Sequence, residues 1–143
     1  MKRALFAALV LSVSAFASAP AMAEGAIAVG ILDNNAARGY SAGWAVNQPN
    51  AEAARNLALQ RCREEQNAPA NVKAQCRIVS TFRNECVSVA LDPKDGTPGA
   101  GWAVEPSRQS SDRAAASACE RVAGRDRQGQ CTLVRGACDG DAK

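Results

Sequence analysis

The residues best suited to chemistry in this sequence are its cysteines. The chain of 143 residues has six of them, and an even number is typical of a disulfide framework in an oxidising compartment. Zinc binding is the alternative, but the sequence has no Cys-x-x-Cys pair and no histidine, so the usual ligand spacing of a zinc site is missing. We therefore expect three disulfides and no metal site. The cysteines are Cys62, Cys76, Cys86, Cys119, Cys131 and Cys138.

The absence of histidine also limits catalysis, because Ser-His-Asp and Cys-His arrangements both need it. No serine stands three residues before any lysine beyond residue 23, so a Ser-Lys pair has no support either. Two carboxylates ~5–10 Å apart could still cleave a glycoside. Glu52, Glu85 and Glu105 are candidates, although nothing in their spacing singles them out. We expect no catalytic centre and no cofactor, with carboxylate chemistry as the alternative.

Aromatic residues are the best candidates for a binding surface. Trp44 and Trp102 are large and rigid, and such side chains anchor ligands at a small cost in ordering entropy. Tyr40 and Arg83 are further candidates. The alternative is that both tryptophans pack in the core and fill the space that small helix residues leave.

The first 23 residues have the pattern of a signal peptide. Met1-Lys2-Arg3 is followed by an uncharged apolar stretch, and Ala21-Met22-Ala23 is a small-x-small cleavage pattern. We expect a mature chain of residues 24–143 that is periplasmic or secreted and has no membrane span. The net charge of +3 falls to +1 on cleavage, because two basic residues leave and no acid does. Nucleic-acid binding is not expected, since it requires a stripe of one sign.

The mature chain contains an internal duplication. Gly43-Trp44-Ala45-Val46 recurs as Gly101-Trp102-Ala103-Val104, and Cys76-Arg77-Ile78-Val79 recurs as Cys131-Thr132-Leu133-Val134. Upstream, the segment 27–31 matches the segment 87–91. Several blocks in one order indicate a repeat. We therefore predict one domain made of two repeats, about 25–85 and 86–138.

Each repeat reads as strand, strand, helix, strand. Segments 26–32 and 86–91 alternate as strands do, and the segment 92–96 is a turn, since it lacks the acidic pattern of a calcium loop. The first helix is predicted to be capped by Asn50 and to run to about Gln66. The second is predicted to be capped by Ser110 or Ser111 and to stop at Gly124. The predicted fold is α+β: two ββαβ repeats form one sheet with two helices packed on one face.

The repeat also limits the disulfide pairing. Cys62 ends the first helix, Cys76 opens the strand that returns along it, and Cys119 and Cys131 occupy the equivalent places. We therefore predict Cys62–Cys76 and Cys119–Cys131. Cys86 is then left to pair with Cys138, which would tie the two repeats together.

These features together resemble a bacterial exported family known as domain of unknown function 4189. The resemblance is carried by Gly25 to Val29, the paired Gly-Trp-Ala-Val segments, the alanine-rich helices that end in Cys62 and Cys119, and the strands that follow Cys76 and Cys131. It covers about 25–138. The family has no established general activity, so the resemblance implies export but no catalytic residues.

We therefore expect an exported binding module without enzymatic activity. Its partner would be a protein, as for an inhibitor or immunity-type protein, or a polymer of the cell envelope. The alternative is a small carboxylate-based hydrolase of cell-wall glycans. A structural protein with no soluble ligand is the third hypothesis.

Overall fold

The computed structural model describes residues 23–143, so the predicted signal peptide lies outside the described residues except for Ala23. The strands are β1 Glu24–Leu32, β2 Asn35–Gln48, β3 Arg77–Phe82, β4 Cys86–Leu91, β5 Ala100–Glu105 and β6 Thr132–Cys138. The helices are α1 Ala51–Glu64, α2 Ala70–Lys73 and α3 Arg108–Ala123, and a 3-10 turn covers Arg125–Arg127. No helix between residues 23 and 143 is long and apolar enough to cross a membrane.

The strands form two antiparallel sheets of three strands each, in the orders β2-β1-β3 and β5-β4-β6. The α+β class is confirmed, but the prediction of one continuous sheet is wrong. The strand that closes the first half, β3, pairs with β1, and the chain then starts a second sheet at Cys86. Both halves therefore have the same order of elements and the same strand pairings.

The two sheets stack face to face, with one long helix on each outer surface. Successive residues of a strand point to opposite faces, and in β1 the small residues Ala26 and Ala28 pack with α1. Ile27 and Val29 point the other way and join Val87 and Val89 of the second sheet in an inner core. The predicted placement of both helices on one face is therefore wrong, because each sheet has its own helix and the sheets cover each other.

The helix ends follow from local hydrogen bonds. Asn50 caps α1 as predicted, since its side-chain oxygen accepts from the Ala53 N–H at 2.9 Å. Ser107 caps α3 in a capping box with Ser110, so the helix starts earlier than the predicted cap at Ser110 or Ser111. Gly124 ends α3 as predicted, with a φ of 96° that favours glycine.

A glycine in each half lets the helix approach the sheet closely. A Cβ atom on Gly43 would lie 2.2 Å from the backbone nitrogen of Cys62, and one on Gly101 would lie 2.3 Å from that of Cys119. The Gly-Trp pair thus has two faces: the glycine receives the helix backbone, while the tryptophan beside it points into the inner core. This geometry accounts for the repeated motif.

The three predicted disulfides are confirmed: Cys62–Cys76, Cys119–Cys131 and Cys86–Cys138. The first two join a helix to the residue just before the returning strand of the same half, and the third joins β4 to β6, which are adjacent strands of the second sheet. The predicted role of this third bond in tying the two repeats together is therefore wrong, because both of its cysteines lie in the second half. A link between the halves comes instead from Asp139, which directly follows β6 and is fully buried. Its carboxylate accepts from the backbone N–H groups of Asn47, at 2.7 Å, and Asn84, at 3.2 Å.

The strand pairing corrects the alignment of the two halves. Trp44 pairs with Ile27 and Trp102 pairs with Val89, so Ile27 is equivalent to Val89 and not to Val87. The first strand of the second half therefore lies two residues further along than the sequence comparison predicts. The alternation hid this shift, because a slip of two residues keeps every side chain on the same face.

Candidate functional site

A cleft opens where the edge strand of each sheet meets the other, between β2 and β6. It has two connected chambers, which share Ala42, Trp44, Glu65, Asn67 and Arg135. We call it the β2–β6 cleft. The outer chamber, of about 520 Å³, is polar and also includes Arg61, Glu64 and Gln66. The inner chamber, of about 240 Å³, is mainly apolar and also includes Tyr40, Val89, Leu91 and Val134.

Two of the four predicted binding residues line this cleft. Trp44 and Tyr40 both stand on the inner face of β2, opposite Ile27 and Ile31 of β1. Both also pack against the inner core and are partly buried. The two readings of Trp44 are therefore compatible, because one face of the side chain can pack in the core while another lines the cleft.

The hydroxyl of Tyr40 is unusual because it is buried and has no hydrogen-bond partner among the described residues. Burial raises the pKa of Tyr40 well above its usual value, since the charged phenolate would lose its solvation. The side chain is therefore a neutral phenol at physiological pH. An unpaired buried hydroxyl costs about 1–3 kcal/mol.

The last turn of α1 supplies the polar wall of the outer chamber. Arg61 donates from Nη1 to the carbonyl oxygen of Trp44 at 2.6 Å, which ties the helix to the edge strand. Glu64 accepts from the side chain of Gln60 at 3.0 Å. Glu65 is the C-cap residue of α1 and lines both chambers.

Arg135 supplies the opposite wall from β6. It pairs with Val89 of β4 next to an irregularity in the strand register, and its side chain is exposed. No acidic side chain lies within ion-pair distance of Arg135 in residues 23–143, although Arg38, Arg83, Arg108 and Arg127 each have such a partner. Arg135 therefore faces the cleft with its charge uncompensated by an ion pair.

The other two predicted binding residues lie elsewhere. Trp102 occupies in the second half the place that Trp44 has in the first, and it packs against the inner core. Arg83 follows β3 and forms an ion pair with Glu24, so it is engaged in the structure and does not line the cleft. The structure brings Trp44 and Tyr40 together in the cleft, whereas Trp102 and Arg83 do not line it.

The two tryptophans have different neighbours. Relative to the cysteines that end the helices, Arg61 and Glu65 correspond to Ala118 and Val122. Arg135 corresponds to Ser80, since the two residues pair with Val89 and Ile27 respectively. Tyr40, four residues before Trp44, corresponds to Pro98. The charged and phenolic groups are thus present around Trp44 and absent from the equivalent positions around Trp102.

The acids that line the cleft are not the ones predicted from the sequence as candidates for a hydrolase. Glu52, Glu85 and Glu105 do not line either chamber, whereas Glu64 and Glu65 do.

The predicted turn after β4 holds a buried ion pair, in which Arg127 donates to both carboxylate oxygens of Asp92 at 2.8 and 2.5 Å. No group of three or more potential metal ligands occurs among residues 23–143.

Among the cleft residues that sequence reasoning missed are Arg61, Glu65 and Arg135. A signal was present, because a position-by-position comparison of the two repeats shows charge at these places in one copy only. Residues that the two copies share identify the fold, whereas a site confined to one copy appears only among the residues that they do not share.

The combination of apolar and charged groups makes the cleft suited to an amphipathic ligand. An apolar inner chamber floored by Trp44 adjoins a rim with two arginines and two glutamates. Sites for small ligands are typically of this kind, mostly apolar with a few polar groups that fix orientation.

Comparison with known proteins gives one finding about the family. No curated protein matches the chain, and no solved structure matches it. A family model described as domain of unknown function 4189 matches residues 25–138, which is more than half of the chain. The chain therefore belongs to the family defined by this domain.

Proposed function

We propose that this chain is an exported, non-enzymatic binding module that holds a protein partner at the β2–β6 cleft. The cleft is the observation that carries the proposal, because it combines a partly exposed tryptophan, an apolar chamber and uncompensated charge in one place. Tryptophan and arginine are enriched among the residues that dominate protein–protein binding. An inhibitor or immunity-type protein would use such a surface to hold an exported enzyme or toxin.

Export is supported by the three disulfides and by the signal-peptide pattern of the first 23 residues. Disulfides persist in the periplasm and outside the cell, where reducing systems do not reach them. The described cysteines are all paired, so none of them is free to act as a catalytic thiol. Both facts fit a rigid scaffold that presents a binding surface in an oxidising compartment.

The test is affinity capture with the oxidised chain of residues 24–143. The chain would be immobilised and exposed to periplasmic and secreted fractions, and retained proteins would be identified by mass spectrometry. Two variants sharpen the result. Arg135→Glu reverses a charge in the cleft, while Arg113→Glu reverses an exposed charge on α3 outside it.

A partner held by the unmodified chain and by Arg113→Glu, but lost from Arg135→Glu, is the expected result. Equal retention by both variants would place binding away from the cleft and contradict the proposal. Retention of envelope glycan fragments with no protein would make the ligand a cell-envelope polymer instead.

The second candidate function is carboxylate-based hydrolysis, which the presence of Glu64 and Glu65 in one cleft favours. A hydrolase of this kind needs one acid to protonate the leaving group and a second to assist attack. Release of soluble fragments from cell-wall material, abolished in both Glu64→Gln and Glu65→Gln, would establish this function and overturn the binding proposal.

A further inference from the structure

The inner chamber has the size and lining of a pocket for one bulky apolar group. Its volume is about 240 Å³, and most of its walls are apolar side chains from three strands of the two sheets. Trp44 and Leu91 stand on opposite sheets, so a group between them would contact both halves of the molecule. Burial of a large apolar side chain in such a place favours binding, because it removes apolar surface from water.

Two charges of opposite sign stand at the junction of the chambers. Arg135 and Glu65 line both chambers, and neither forms an ion pair in the described part of the chain. Arg61 is already engaged by the carbonyl of Trp44. A ligand with a carboxylate and a hydrogen-bond donor a few atoms apart would complement this pair, since arginine binds carboxylates with strong charge-assisted bonds.

A neutral sugar fits these features poorly. It would cover Arg135 and Glu65 without supplying an opposite charge to either, and desolvating an unpaired charge is costly. A phosphate polymer would meet Glu64 and Glu65 in the same outer chamber. A peptide supplies an apolar side chain, backbone donors and a carboxylate within one or two residues.

We propose that the β2–β6 cleft binds a peptide segment through one bulky apolar side chain in the inner chamber and a neighbouring carboxylate against Arg135. The amino or amide N–H of the segment donates to Glu65, which lines both chambers. This inference rests on the proposed binding function and specifies its ligand. The carboxylate is either a free C-terminus or an acidic side chain within a chain.

The test is isothermal titration of the oxidised chain 24–143 with short synthetic peptides. Ala-Phe with a free carboxylate, its C-terminal amide, and acetyl-Asp-Phe-amide differ in where the carboxylate stands, and Ala-Ala lacks the bulky side chain. The expected result is that a peptide with a carboxylate binds about tenfold or more tighter than Ala-Phe-amide, given the strength of a hydrogen bond to a charged group. Ala-Ala should bind more weakly than Ala-Phe.

Arg135→Gln should remove the preference for the carboxylate, so that Ala-Phe and its C-terminal amide bind with similar affinity. Arg113→Gln, the matched control on α3, should change neither affinity.

Failure of this inference is distinguishable from failure of the proposed function. If no peptide in the panel binds, or if binding is the same in Arg135→Gln, the peptide inference is wrong. A protein partner captured by the unmodified chain and lost from Arg135→Glu would then still support a binding module. Tighter binding of acetyl-Asp-Phe-amide than of free Ala-Phe identifies an internal acidic residue as the source of the carboxylate, and the reverse identifies a C-terminus.

Discussion

In both halves a helix packs against a sheet with the same backbone arrangement, but the side chains at the two contacts differ in polarity. In the first half, Ala26 of β1 faces Ala54 of α1 in a contact made of small apolar groups. In the second half, Ser88 of β4 takes the equivalent place, and its hydroxyl lies 2.8 Å from that of Ser111 and 2.5 Å from a carboxylate oxygen of Asp112. One contact is apolar, while the other is a hydrogen-bonded network.

This difference shows that side-chain size, and not polarity, sets the distance between helix and sheet. Gly43 and Gly101 admit the helix backbone equally in both halves, and serine is scarcely larger than alanine. The polar network is tolerated because its groups are paired: Asp112 also accepts from Arg108 at 2.8 Å. Burial raises the pKa of Asp112, but the hydrogen bonds from Ser88 and Arg108 outweigh this and hold it below its usual value.

The largest expected effect comes from the crosslinks, and it tests whether the halves are equivalent. Replacing Cys62 and Cys76 by alanine, or Cys119 and Cys131, removes bonds that span 14 and 12 residues. Each pair should lower the free energy of unfolding by about 3 kcal/mol, because loops of similar length restrict the unfolded chain similarly. Denaturation in urea measures both values.

The bond between Cys86 and Cys138 spans 52 residues, so its removal should cost about 1 kcal/mol more than either of the others. Unequal losses for the two shorter bonds would show that one helix depends on its crosslink more than the other.

The second effect concerns the close approach of the helices. Gly43→Ala and Gly101→Ala each place a methyl group against helix backbone, so each should destabilise the fold by about 2–3 kcal/mol through overpacking. Gly96→Ala is the control, because it has open space around it and strains only a left-handed turn, at about 1 kcal/mol. A loss at only one of the first two glycines would contradict the equivalence of the contacts.

A smaller effect distinguishes the two chemistries. Ser88→Ala leaves the buried Ser111 and the half-buried Asp112 short of a partner, which should cost about 1–3 kcal/mol. The double variant Ser88→Ala, Ser111→Ala copies the first half more closely, and it should recover part of that loss because fewer buried groups remain unpaired. Thermal or urea denaturation of the three proteins checks this. If the double variant instead loses about as much free energy of unfolding again as the single variant did, the hydrogen bonds of the network add stability beyond pairing their own buried groups.

The smallest effect is expected at acid pH and again separates the halves. Hydrogen bonds from Arg127 lower the pKa of Asp92 to about 2, against the partial opposition of burial. A carboxyl group with a pKa lowered in the folded state adds stability above its ordinary pKa of about 4, and this contribution is lost as the pH falls toward about 2.

Asp92→Asn should therefore flatten the fall in stability between about pH 4 and 2, measured as thermal midpoint against pH. Asp33→Asn, which removes an exposed acid paired with Arg38 in the first half, should leave the fall in place. If the thermal midpoint of Asp92→Asn falls at acid pH as much as that of the unmodified chain, other groups, among them Asp112, cause the fall.

Much of the fold could be predicted because its signals are local. The caps at Asn50 and Gly124 depend on neighbouring backbone groups, and the disulfide pairing followed from the positions of cysteines within each repeat. The cap of α3 was misplaced because three serines compete at its start, and the capping box selects Ser107. Local patterns could not show whether the six strands form one sheet or two.

The stacking of two sheets depends on which apolar faces cover each other over long separations. A trace of it is visible in β1, where Ala26 and Ala28 alternate with Ile27 and Val29 and all four are buried. Small residues on one face and large ones on the other suit a closely packed helix on one side and a sheet on the other. The cleft could not be predicted for the same reason. Arg135 and Trp44 lie far apart in sequence and meet only because β2 and β6 are facing edges.

The stacking has a consequence for how such a molecule could arise. Each half covers the apolar inner face of the other, so a chain with one half alone would expose that face and associate with a copy of itself through equivalent surfaces, as isologous dimers do. Joining the two copies through the short segment between β3 and β4 makes their association intramolecular and independent of concentration. A symmetric pair must carry two identical clefts, whereas a fused chain can change one copy without the other. Charged residues surround Trp44 and are missing around Trp102, and only a fused chain can carry such a difference between its two copies.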